Sequence, residues 1–111
     1  MIKVELLYFD GCPSWKEGLR NLEEALVLEN IRADIDLILI ESNDDASKEQ
    51  FLGSPSFRID DADLWPEERE SYSLGCRIYL TQEGYKGFPS VMMLREKIRE
   101  IKARKHPSAG M

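Results

Sequence analysis

Two apolar runs joined by one amphipathic helix confine this chain more than any other feature. Residues Ile2 to Phe9 alternate at Ile2, Val4 and Leu6 and then become continuously apolar at Leu7, Tyr8 and Phe9. That is the pattern of a strand running into the middle of a sheet. After Asp10-Gly11, apolar residues recur at Trp15, Leu19, Leu22 and Leu26, with Lys16, Glu17, Arg20, Glu23 and Glu24 opposite them. The spacing predicts a helix to about Glu29. Its start reads two ways: Ser14 with Glu17 forms a capping box, or Pro13 takes the first helical position and makes Cys12 the cap. Ala33 to Ile40 predicts a second strand. A strand reached through a helix runs parallel to the first with a right-handed crossover, so residues 2–40 read as a βαβ unit.

Ser42-Asn43-Asp44-Asp45 supplies cap residues for a short helix through Ala46, Phe51 and Leu52, with Gly53 suited to end it. Ser54-Pro55 then leads sharply into a strand over Ser56 to Asp60. Asp60-Asp61-Ala62-Asp63 is turn-rich, and Leu64-Trp65 before Pro66 reads as the return strand of a hairpin. Pro66 to Leu74 has no periodicity and reads as a loop. Cys76-Arg77-Ile78-Tyr79-Leu80 is strand-like, and Glu83-Gly84 marks a turn. Pro89 opens a final helix with Val91, Leu94, Ile98 and Ile101 on one face. Beyond Arg104 the pattern stops, giving a domain over 1–104 and a flexible tail over 105–111 in which His106 has no evident partner. Tyr8, Phe9 and Phe57 read as core.

The chain has 111 residues, 42% of them hydrophobic and 32% charged, enough for one core without disulfides or metal. No apolar run approaches membrane-spanning length, and the N-terminus has no secretory pattern, so the expected setting is a reducing cytoplasm. The net charge of −6 is uneven: Arg95, Lys97, Arg99, Lys102, Arg104 and Lys105 gather in the last helix and leave an acidic body. Such a body repels phosphate backbones and excludes nucleic acid. The basic cluster reads as a complement to the negative end of its own helix, since no aromatic residues interleave with it.

Two cysteines in a reducing compartment point to chemistry before stapling. Cys12 sits where a strand ends and a helix begins, near backbone N–H groups that lack intrahelical partners. Asp10 beside it adds a like charge, and its other readings are a turn or cap residue and a proton shuttle. Cys12 itself also reads as a small core hydrophobe.

The element order is that of a thioredoxin- or glutaredoxin-like fold, with a central mixed four-stranded sheet flanked by helices and an insertion around residues 66–88. At residue level, Leu6-Leu7-Tyr8-Phe9-Asp10-Gly11-Cys12-Pro13-Ser14-Trp15, the Gly53-Ser54-Pro55-Ser56 segment and Gly75-Cys76-Arg77-Ile78-Tyr79 resemble a group of small thioredoxin-like bacterial proteins, the DF family. In some of its members selenocysteine replaces the cysteine after Phe-Asp-Gly. The resemblance implies Cys12 as the reactive position and Pro55 as a cis-proline facing it. It also implies a Ser54 backbone free to pair with an extended substrate. The chain departs from thioredoxin where a second cysteine would follow the first by three residues, because Trp15 stands there.

Cys12 therefore works alone or with Cys76. If Leu64-Trp65 is the return strand, Cys76 approaches Cys12; if Cys76 to Leu80 is, the thiols lie beyond disulfide reach. The tighter hairpin favours the first arrangement. Arg77 is then the nearest source of positive charge, and Trp15 is either a hydrophobic lip for substrate or the start of the helix's core face. The expected function is thiol-disulfide exchange with a protein or small-molecule thiol or disulfide, Cys12 attacking and Cys76 resolving, with no cofactor. Two alternatives use the same residues: a soft-metal or organomercurial binder, or an interaction module without turnover.

Overall fold

A computed structural model describes residues 2–105. The first strand, β1 (Val4–Tyr8), is buried along most of its length, and the helix α1 (Trp15–Leu28) carries the chain to a parallel partner, β2 (Ile35–Leu39). Leu6 sits opposite Leu37 on one side and Phe57 on the other. The helix α2 (Asn43–Glu49) and the strand β3 (Ser56–Ile59) follow, β3 antiparallel to β1, and then the short strand β4 (Ala62–Asp63). The resulting four-stranded mixed sheet has the order β2-β1-β3-β4. A separate hairpin, β5 (Tyr79–Thr81) and β6 (Gly84–Lys86), precedes the last helix, α3 (Val91–Lys105).

Side chains alternate across a strand, so β1 serves two cores. Val4 and Leu6 join Leu22, Ala25 and Leu26 of α1 with Leu94 and Ile98 of α3. Leu7 faces the other way, onto Ile40, Ala46 and Phe51. Two helices thus cover one face and α2 the other. Leu94 and Ile98 are both fully buried, and truncating either to alanine costs about 2–5 kcal/mol by the usual cavity argument.

Local chemistry explains where the elements differ from their expected bounds. Neither reading of the α1 start forms: Ser14 occupies the N-cap position without a side-chain cap bond, and Cys12 lies before it in a turn, its N–H donating to Phe9 O at 3.1 Å. Ser42 caps α2 as expected, accepting from Asp45 N at 3.1 Å. That helix ends on Gln50 in the left-handed region rather than on Gly53. The hairpin after β3 is tighter than expected. Asp60 and Asp61, with φ of 51° and 71°, make the two-residue turn that matches strand twist, so the return strand is Ala62–Asp63 and Leu64 N bonds Phe57 O beyond it. Gln82 and Glu83 form the next turn. Pro89 stands outside α3, where Ser90 Oγ accepts from Met93 N at 3.1 Å.

The basic cluster serves a different helix end from the expected one. Arg95 and Arg99 each donate to Glu29 Oε2, at 2.8 and 2.9 Å, and Lys102 donates to Glu29 O at 3.0 Å. Glu29 is the C-cap of α1, so α3 neutralises the negative end of its neighbour. The Arg95 hydrogen bond, outweighing burial, together with Arg99, holds the Glu29 carboxyl below the usual carboxylate range. Among the described residues no helix is long and apolar enough to cross a membrane. His106 and most of the expected tail lie outside the described residues.

Candidate functional site: two thiols at the Ser54-Pro55 turn

The end of β1 and the start of β3 lie side by side, and the peptide between Ser54 and Pro55 is cis. Ser54 is fully buried, and its Oγ accepts from Phe9 N at 3.3 Å. Pro55 packs beneath α1: a Cβ added at Gly18 would stand 3.0 Å from Pro55 Cγ and 3.1 Å from Phe57 Cζ, which lets the helix approach this turn closely.

Cys12 is 5% exposed, and its thiol donates to Ser54 O at 3.5 Å. Cys76 is exposed, and both thiols are free. Burial, then the charge of Cys12 and a side-chain hydrogen bond between the two, push the Cys76 thiol above its ordinary range. The two thiols, far apart in the chain, meet at Ser54, whose carbonyl accepts from Cys12 and whose backbone bridges Cys76.

What brings Cys76 there is backbone. Ser54 and Cys76 form an isolated parallel bridge, in which Ser54 N–H donates to Gly75 O at 2.8 Å and Arg77 N–H donates to Ser54 O at 3.0 Å. This corrects the expectation that the Ser54 backbone is open to substrate, because the chain's own Gly75–Arg77 segment fills both positions. Gly53 makes the approach feasible. Its φ is +116°, and a Cβ there would come within 3.1 Å of the Arg77 backbone.

Arg77 also departs from its expected role. Its guanidinium is buried, donates to both Asp63 oxygens at 3.0 Å, to Ser56 Oγ at 3.3 Å and to the Trp65 carbonyl, and stacks 5.4 Å from the Tyr79 ring centroid. It anchors the segment carrying Cys76, and its charge is spent on Asp63 rather than on a thiolate. Tyr79 adds a second anchor, donating to Pro55 O at 2.6 Å, and its burial pushes the phenol pKa up.

Trp15 is half-buried, stacked on Tyr8 with ring centroids 4.1 Å apart, and joins the main core. Asp10 is exposed in the turn before Cys12. The sequence reading missed Asp63, Tyr79 and the packing role of Gly53. No local signal marked them: over residues 74–80 the alternation places Leu74, Ile78 and Leu80 on the apolar side, yet these are exposed while Arg77 and Tyr79 are buried. No protein-family model, no curated protein and no solved structure matches the chain.

Proposed function

We propose that this chain is a thiol-disulfide exchange protein of thioredoxin-like build, in which Cys12 and Cys76 cycle between dithiol and internal disulfide. The single observation that carries this reading is the meeting of both thiols at Ser54, whose carbonyl accepts from Cys12 at 3.5 Å and whose backbone bridges Cys76. The element order of strand, helix, strand, helix, hairpin, second hairpin and final helix, with the sheet order β2-β1-β3-β4, supports the thioredoxin-like part.

The chemistry is a two-electron exchange. An external disulfide is reduced to two thiols while Cys12 and Cys76 lose two hydrogens and join, or the reverse. The substrate is a disulfide or thiol, borne by a protein or a small molecule. The rigid parts of the site suit this role: Ser54-Pro55 fixes one sulfur from below, and the Arg77 and Tyr79 anchors fix the other.

The test is mass spectrometry of the purified chain equilibrated in dithiothreitol buffers of graded oxidation. The expected result is a monomer lighter by two hydrogens, with Cys12 and Cys76 peptides linked. Oxidation that gives only intermolecular dimers, with both thiols of the monomer still alkylated independently, removes the proposal.

A further inference from the structure

Resting on that reading, we infer that Cys76 is the sulfur an external disulfide meets first and that Cys12 completes the exchange from beneath it, the reverse of the order expected from the sequence. Thiol-disulfide exchange needs the attacking sulfur to reach the disulfide in line, so access decides which thiol begins.

Access differs sharply between the two. Cys12 is 5% exposed, its thiol turned to the Ser54 carbonyl. Cys76 lies on the outward side of an alternating segment: Leu74, Ile78 and Leu80 are 39%, 62% and 64% exposed, while Arg77 and Tyr79 between them are buried. The bridge to Ser54 holds this register, so Cys76 faces solvent above Cys12.

The steps balance. The Cys76 thiolate attacks one sulfur of the disulfide, forming a mixed disulfide and releasing the first thiolate, which takes up a proton. The Cys12 sulfur, having given its proton to solvent, attacks Cys76 Sγ, closes the internal disulfide and expels the second thiolate. Burial and the neighbouring Cys12 make the first step slow at neutral pH by keeping Cys76 protonated. After that step Cys76 Sγ is part of a neutral disulfide, open to attack by the Cys12 sulfur beneath it.

Bis(2-hydroxyethyl) disulfide, small and neutral, serves as the probe, with Cys12→Ser and Cys76→Ser compared against the parent chain by acid-quenched mass spectrometry. Cys12→Ser accumulates a stable adduct on Cys76, Cys76→Ser acquires one about tenfold more slowly or less, and the first adduct in the parent chain maps to Cys76. The parent-chain measurement holds even if a variant folds poorly. If the parent chain closes its internal disulfide but the first adduct maps to Cys12, the order of attack is overturned while the proposed function stands. If the parent chain accumulates adducts and never closes the disulfide, the proposed function falls, and the order with it.

Discussion

Arg77 Nη1 lies 3.0 Å from each carboxylate oxygen of Asp63, joining the last residue of β4 to the segment that carries Cys76. Both side chains are withdrawn from solvent, at 4% and 11% exposure. Removing one partner of a buried pair strands the other charge, at a cost of about 3–5 kcal/mol. Asp63→Asn and Arg77→Met are each expected to lower stability by that order in urea denaturation. Because the pair also fixes Cys76, both should slow internal disulfide formation more than a core truncation of equal cost, such as Ile98→Ala.

Gly53 and Gly75 flank the same bridge but differ in tolerance. A Cβ at Gly53 meets Arg77 Cβ at 2.9 Å and its backbone at 3.1 Å on a φ of +116°, whereas a Cβ at Gly75 meets nothing within 4 Å. Gly53→Ala is expected to destabilise by about 1–3 kcal/mol. Gly75→Ala should fall within about 0.5 kcal/mol of the parent. Paired chemical denaturation curves check the contrast, and equal effects would refute it.

Tyr79→Phe removes the donor to the Pro55 carbonyl while keeping the ring against Phe57 and Trp65. An unsatisfied buried acceptor costs about 1–3 kcal/mol. Chemical denaturation should show that loss, and timed alkylation should show faster labelling of Cys12 as the Ser54-Pro55 turn loosens.

Glu29 sets an acid limit on stability. Its folded carboxyl lies below the usual range, so its contribution is present above the unfolded carboxylate value and disappears as pH falls through the folded one. Glu29→Gln should therefore destabilise at pH 7, with the difference from the parent narrowing as the pH drops below about 4. Thermal melts across pH 3–7 check the sign, and a constant difference would contradict it.

Cys76 titrates in the opposite direction. Its raised thiol is expected to stay protonated through neutrality, so iodoacetamide labelling at Cys76 should rise about tenfold per pH unit to beyond pH 9. Peptide mapping after timed alkylation follows this, and a plateau near pH 7 would count against it.

Much of the frame was legible because it is local. The alternation before Phe9, the apolar stripe through Trp15, Leu22 and Leu26, and the aspartate-rich turn each announce an element within a few residues. Element ends shifted where a neighbouring residue did the work: Gln50 instead of Gly53, Ser90 instead of Pro89. The site was legible only as a set of candidates. Cys12, Ser54, Pro55 and Cys76 stood out by residue type, but nothing local showed that Gly75 and Arg77 occupy the Ser54 backbone.

Taken alone, the sequence determined the βαβ order of the first half and the faces that β1, α1 and α3 bury, since periodicity records which side of those elements avoids water. Tertiary structure decided that Arg95, Arg99 and Lys102 serve Glu29, that Arg77 turns inward to Asp63, and that one thiol is covered while the other faces solvent. Those outcomes depend on pairings between distant segments, and a charge or a sulfur leaves no periodic trace of its partner.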